Sequence, residues 1–209
     1  MPLKAAEWFA KQVSQSLIDA TQPTWKKRRV FTLDGCDDDF ATGARIAKGV
    51  SDGLNQPGTG VWPVMLLTVC HELSGGAALV PEVRRDVRSC GCFRNRSDQA
   101  KSQRIATDSV VMADAGFGIF NVAFQIRQAG HVFLLRMTQQ RFDSLKKKSE
   151  LMENGDHHKV WSHRWTPSAK ERTAHPDLPQ DTMLEIRLHE IVINEHLTLL
   201  LATDTRRHA

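Results

Sequence analysis

Residues 110–136 read VVMADAGFGIFNVAFQIRQAGHVFLLR, and this stretch decides the fold class. Val110, Val111, Met112 and Ala113 form a short apolar run, as in a buried strand. Asp114 ends it, and Gly116 and Gly118 then permit a tight turn. Phe117, Phe120 and Phe124 recur at helical spacing, with Asn121, Gln125 and Gln128 on the other face. Gly130 stops the helix, and Val132–Leu135 resume an apolar strand. A strand–helix–strand unit that delivers a carboxylate at the carboxyl end of its first strand places Asp114 where α/β proteins put their sites.

Upstream, residues 3–20 predict an amphipathic helix with Ala6, Phe9, Ala10, Val13 and Leu17 on its apolar face and Pro23 beyond its end. Val30–Leu33 predicts a strand that delivers Asp34-Gly35. Residues 36–60 are polar and glycine-containing, as in a long loop. Val61–Cys70 and Ala77–Val80 flank the turn residues Ser74-Gly75-Gly76 and predict a hairpin, with Pro63 near a strand start or at an edge. Residues 81–107 are charged and predicted partly helical. Downstream, the periodicity fades from Thr138 to about Gln180, where Trp161 and Trp165 flank a short strand candidate. Leu184, Ile186 and Leu188 alternate with Glu185, Arg187 and His189, a half-buried strand; Ile193-Asn194-Glu195 turns, and Leu197–Leu201 returns. This order implies an α/β chain with a mixed sheet and helices against it.

Of the 209 residues, 41% are apolar, enough for a core and against wholesale disorder. No run approaches the roughly 18 apolar residues of a membrane span, and the start MPLKAAEWFAKQV lacks a secretory core. The expectation is a cytoplasmic protein with no membrane partner. The net charge of +4 favours an anionic partner. The charge is clustered at Lys26-Lys27-Arg28-Arg29, at Arg84, Arg85 and Arg88, and at Lys146-Lys147-Lys148. Each cluster reads equally as a solvated loop. Cys90-Gly-Cys92 has one residue between its thiols, not the two to four of zinc knuckles, and with Cys36 and Cys70 suits reduced cysteines better than a structural zinc. His71-Glu72 is followed by Leu-Ser-Gly, so the H-E-x-x-H hydrolase pattern is absent.

Asp34 and Asp114 each end a predicted strand. On neighbouring strands of one sheet their carboxylates would share a Mg²⁺, a hard ion that takes oxygen ligands and keeps several waters. The plainer alternative is that both acids begin turns.

ADAGFGIFNVAFQIRQAGHVFLLR resembles the second-aspartate motif of bacterial insertion-sequence transposases of family four, which carry a DDE catalytic domain. In that family a strand ends in Asp-Arg-x-Phe-Gly, a helix follows, and a further strand ends in arginine. Here Ala115 stands where the family has arginine, and Gly116-Phe117-Gly118 fit. Phe31-Thr32-Leu33-Asp34-Gly35 resembles the first motif, residues 60–75 the hairpin between the motifs, and Trp161–Trp165 with residues 184–204 the β-rich insertion. The resemblance implies an RNase H-like core over 26–137, a β-rich insertion over 138–204, a short N-terminal helical segment over 1–25 and a tail over 205–209. It implies cut-and-paste DNA transposition, with Asp34 and Asp114 as catalytic acids holding Mg²⁺, or Mn²⁺ in its place. The implied partners are transposon-end and target DNA and a second copy of the chain, in the bacterial nucleoid. Lys26, Lys27, Arg28, Arg29, Lys146, Lys147 and Lys148 are candidate backbone contacts. Arg136 is either a phosphate contact or a strand-end cation.

The family's third acid lies in a Tyr-x-x-Arg-Trp-x-x-Glu setting after the insertion, and this sequence contains no tyrosine. The expectation is therefore a truncated transposase with two of three acids, or an inactive DNA-binding or inhibitory fragment. A nuclease that uses Glu72 or Glu82 instead is the reading from a different class, and Glu190 is a further stand-in for the missing acid.

Overall fold

The computed structural model describes residues 3–23, 25–39, 64–79, 82–84, 105, 108–176 and 178–205. The chain divides into two compact units, Met1–Ile105 and Ala106–Ala209. The expected boundary at residue 137 therefore falls inside the second unit.

The first unit begins with helix α1 (Leu3–Ala20). Strands β1 (Val30–Asp39), β2 (Val64–Glu72) and β3 (Glu82–Arg84) follow, antiparallel in the order β3-β2-β1. Phe31 pairs with Glu72 and Asp39 with Val64. The expected hairpin is present: Leu79 N–H donates to the Cys70 carbonyl and Glu72 N–H to that of Ala77, across the turn at residues 73–75. Phe31, Leu33, Cys70, Ala77 and Leu79 are buried between these elements.

Two expectations change here. β1 does not stop at Leu33. It runs through Asp34-Gly35 to Asp39, because β2 offers a full ladder of partners, Asp34 opposite Val69 and Gly35 opposite Thr68. Asp34 is thus an exposed mid-strand residue, not a strand-end or turn residue. Helix α1 also presents a different face. Ser14 and Ile18 are buried, while Phe9 (59%), Val13 (42%) and Leu17 (41%) stay exposed. Polar bonds set this rotation. The Ser14 hydroxyl donates to the Ala78 carbonyl at 2.5 Å. Arg29 caps the helix end, donating to the carbonyls of Ile18 at 2.6 Å and Thr21 at 2.8 Å. Of the loop expected over 36–60, residues 36–39 belong to β1 and 40–60 lie outside the described residues; of the partly helical stretch expected over 81–107, Glu82–Arg84 form β3 and 85–104 lie outside them.

The second unit contains β4 (Val110–Ala113), α2 (Phe120–Gln128), β5 (Val132–Arg136), α3 (Gln139–Lys146), β6 (Glu150–Asn154), β7 (His158–Trp165), α4 (Ala169–Ala174), β8 (Leu184–Asn194) and β9 (Leu197–Asp204). Its strands run in the order β4-β5-β9-β8-β7-β6. β4 and β5 are parallel and the other pairs antiparallel. The mixed α/β character expected from the sequence is present. Within 138–204, β9 pairs directly with β5, Leu135 opposite Ala202 and Arg136 opposite Leu201. Among the described residues no helix is long and apolar enough to cross a membrane.

Helix α2 ends as its glycine predicts. Gly130 has φ +85°, and the N–H groups of Gly130 and His131 return to the carbonyls of Arg127 and Ile126. That is the Schellman closure, which satisfies carbonyls a helix end would otherwise leave bare. Phe120, Ile126, Phe133, Leu135, Phe142, Ile186 and Leu188 are almost fully buried. Phe120 meets Trp165 edge-on at 5.6 Å, and Phe142 meets Trp161 at 5.9 Å.

Gly118 is the tightest point of the unit. A Cβ there would overlap the Arg136 carbonyl oxygen and lie 3.1 Å from Met137 Sδ. Backbone at a strand end cannot yield as a flexible side chain can. Gly118→Ala is therefore expected to destabilise the second unit by about 1–3 kcal/mol, the usual range for overpacking. A urea unfolding series read by hydrogen exchange in this unit measures it, and an unchanged midpoint would contradict the close approach.

Candidate functional site at the carboxyl edge of the parallel strands

Asp114 follows β4 directly and is exposed. Its Oδ1 accepts from the N–H groups of Gly116 at 2.9 Å and Phe117 at 3.4 Å. The Phe117 N–H also reaches the Asp114 carbonyl at 3.2 Å. Gly116 gives this turn room, because a Cβ there would lie 3.1 Å from Oδ1. The side chain thus builds an Asx-type turn that swings the chain from β4 towards α2. Both readings of Asp114 from the sequence meet in one geometry, a turn former and an exposed carboxylate at a strand's carboxyl end.

Arg136 closes the neighbouring parallel strand and is exposed. Ala113 pairs with Leu135, so Asp114 and Arg136 each come one residue after a paired position. Arg141, on α3, was not singled out by the sequence reading. Its Nη1 donates to the Ala115 carbonyl at 2.6 Å and ties α3 to the Asp114 turn. One signal for it existed. Thr138 is the N-cap of α3 and accepts from the Arg141 N–H, so Thr-x-x-Arg marks the helix start.

Glu171 was also missed. Through Oε1 it accepts the Phe120 N–H at 3.0 Å, capping α2, whose own N-cap Ile119 has no side-chain acceptor. Through Oε2 it accepts from Ser168 N–H at 2.9 Å in a capping box that starts α4. Only that box is visible in the sequence, as Ser-x-x-Glu.

Asp34 belongs to the first unit and Asp114 to the second, and each is placed within its own unit. Among the described residues no group of three or more His, Cys, Asp or Glu is arranged to hold a metal ion. Two of the substitute acids, Glu72 and Glu190, have structural partners. Glu72 is buried, accepts from Gly75 N–H at 2.7 Å and pairs with Arg29 at 3.4 Å. Glu190 pairs with Lys146 at 2.8 Å. Glu82 opens β3.

The basic clusters divide. Arg29 is committed to the end of α1 and to Glu72. Lys146 lies 4.2 Å above the Trp161 ring while it pairs with Glu190. Lys147 and Lys148 are exposed just past α3. Lys26 and Lys27 are exposed at the tip of a turn from Trp25 to Arg28, with Arg28 half-buried. Of the cysteines, Cys70 is buried in β2, and Cys90 and Cys92 lie outside the described residues.

No protein-family model matches the chain, and no curated protein matches it. Among solved structures it aligns with a piggyBac transposase in a synaptic complex with hairpin DNA, at 10% identity and a TM-score of 0.34. The alignment covers 94% of this chain and 36% of that one, so the chain spans about a third of the neighbour's length.

Buried Glu72 and His163 and half-buried His189 give the two units different acid sensitivities. For Glu72, burial raises the pKa, but hydrogen bonds from Ser74 and Gly75 and the Arg29 charge outweigh it, and the net value lies below the ordinary 4.5. His189 is held below the ordinary 6.5 by burial, then by the charges of His158 and Arg187, with Glu153 opposing. His163 is lowered by burial, which together with the Lys148 charge outweighs a backbone hydrogen bond at Lys148. A histidine with a depressed folded-state pKa takes its proton more readily in the unfolded chain. Its contribution is complete above about 6.5 and erodes as the pH falls below that, until the folded form titrates too. A depressed carboxylate keeps its contribution above 4.5 and loses it as the pH falls through its lower folded value. Lowering the pH from about 7.5 to 5.5 should therefore weaken hydrogen-exchange protection in the second unit first. Equal loss in both units over that window would contradict these assignments.

Proposed function

We propose that this chain has an RNase H-like core and acts as a transposase of a bacterial insertion sequence, cleaving and joining DNA strands with Mg²⁺, or Mn²⁺ in its place. The observation that carries this reading is the Asp114 turn. It holds an exposed carboxylate at the carboxyl end of a parallel strand, with Arg136 closing the adjacent strand and Arg141 bonded to the turn itself. A carboxylate for a hard cation and guanidinium groups for phosphate are what phosphodiester chemistry requires. Asp34, exposed in β1, is the second acid of the reading. These oxygen donors fit Mg²⁺, which keeps waters and takes substrate phosphate oxygens alongside few protein ligands. When bound, such an ion activates water and stabilises the leaving oxygen in an in-line displacement. The partners are transposon-end and target DNA, with a second copy of the chain.

A second reading is favoured by one observation. Asp114 Oδ1 already accepts two backbone N–H groups. On that reading the chain binds DNA without chemistry, as an inhibitory fragment.

A supercoiled-plasmid nicking assay in Mg²⁺ and Mn²⁺ separates the two. Two acids position two ions poorly, and small misplacement costs about 10²-fold in rate. The first reading therefore expects slow, metal-dependent nicking that Asp114→Asn and Asp34→Asn each abolish. Binding to random duplex should be weak and should fall steeply with salt. Binding without nicking in either metal supports the inhibitory reading. Nicking that survives both substitutions would remove Asp34 and Asp114 from the site.

A further inference from the structure

We infer that the turn from Trp25 to Arg28 is a seat for unpaired nucleotides, with Trp25 as the stacking platform and Lys26 and Lys27 as the phosphate contacts. The inference rests on the reading that the chain works on DNA, but it concerns a surface in the first unit and uses no metal.

The turn is a two-residue hairpin. Trp25 N–H donates to the Arg28 carbonyl at 3.3 Å and Arg28 N–H to the Trp25 carbonyl at 2.8 Å. Its central residues, Lys26 and Lys27, have φ of +45° and +65°. Two successive positive φ values define a mirror-image turn, for which Asn-Gly is the favoured pair. A long side chain is a poor fit to that backbone region, and two in succession are rarer still. Such strain persists only where the surroundings hold the chain in place. Arg29, the next residue, does so through its bonds to Ile18, Thr21 and Glu72. Folding alone gives no reason to keep two lysines here. Their ammonium groups do, because the turn projects both into solvent.

The neighbouring side chain narrows the ligand class. Trp25 is 43% exposed, and Lys26 Nζ lies 5.3 Å from the centre of its ring. An exposed indole beside two cations is the combination that single-strand binders use: bases stack on the aromatic face and the backbone follows the charge. A duplex keeps its bases stacked and offers the indole nothing. The geometry therefore favours unpaired nucleotides, as at a melted or frayed strand end.

The test uses the full chain in EDTA, with fluorescence anisotropy of a labelled oligo-dT and of a duplex of equal length across a salt series. The key variant is Lys26→Asn with Lys27→Gly. It should raise Tm, because it relieves the strain, and also weaken oligo-dT binding about tenfold. It should reduce the slope of log affinity against log salt by roughly 1.4, two contacts at about 0.7 each. A purely structural turn would show the first effect without the others. Trp25→Leu should weaken oligo-dT binding about tenfold and leave duplex binding unchanged, while Trp25→Phe and the pair Lys26→Arg with Lys27→Arg retain it. Oligo-dT affinity within twofold of wild type in both loss variants would overturn the inference. So would a lower Tm in the Asn-Gly variant, or binding to phosphatidylglycerol vesicles with none to oligo-dT. Oligo-dT binding is read in EDTA and nicking in Mg²⁺ or Mn²⁺, so a failed nicking assay and a failed seat remain distinguishable.

Discussion

The second unit is organised by the closeness of the Gly118 backbone to the end of β5. The Asp114 turn must bring the chain from β4 to α2 across the Arg136 carbonyl, and only a residue without a Cβ passes there. Three polar side chains then fix what the glycine permits. Asp114 Oδ1 gathers the amides of Gly116 and Phe117, Arg141 holds the Ala115 carbonyl from α3, and Glu171 takes the Phe120 amide from α4. The three side chains come from the end of β4, from α3 and from α4, so the segment from Asp114 to Phe120 ties β4, β5, α2, α3 and α4 together. The buried aromatic contacts lie around this knot, with Phe120 against Trp165 as the nearest.

The strand–helix–strand unit of 110–136 was legible because its signals are local. Apolar runs, helical spacing and two glycines say the same thing within 27 residues. What failed to show in the sequence depends on distant partners. β1 continues past Asp34-Gly35 because β2 supplies a ladder for it, although Asp-Gly by itself reads as a turn. The apolar stripe of α1 points outward because Ser14 and Arg29 find carbonyl partners that fix the helix rotation, and burying the stripe would break those bonds. Helix α3 and the β6–β7 hairpin lie in a polar stretch whose apolar residues, Phe142, Val160 and Trp161, are too sparse to set a period.

The same contrast governs the charges. A run of basic residues looks uniform in sequence, yet neighbours in these runs do different work. Arg29 is drawn into a polar cluster with Glu72 and two helix-end carbonyls, while Lys26 and Lys27 stand outside it on a strained backbone. Lys146 is held by Glu190 and lies over the Trp161 ring, while Lys147 and Lys148, past the end of α3, are exposed. In these two runs Arg29 and Lys146 are taken up by the fold, while Lys26, Lys27, Lys147 and Lys148 are exposed. Charge density alone therefore overstates the exposed positive surface, because buried Glu72 and half-buried Glu190 each pair with one member of these runs.

This bears on how Asp114 serves two roles. A carboxylate that accepts backbone amides is often set aside as a turn former, and ligation is then sought elsewhere. The two roles use different atoms. Oδ1 takes both amides, and in the reading proposed above Oδ2 would be the oxygen left to hold an ion. A side chain already fixed by its own turn loses little rotamer freedom when it binds, so the turn lowers the entropic cost of ligation. The backbone bonds also set the direction of the carboxylate from Gly116 and Phe117 rather than from solvent. Gly116 leaves room for this arrangement, since a Cβ at that position would lie 3.1 Å from the carboxylate oxygen that shapes the turn.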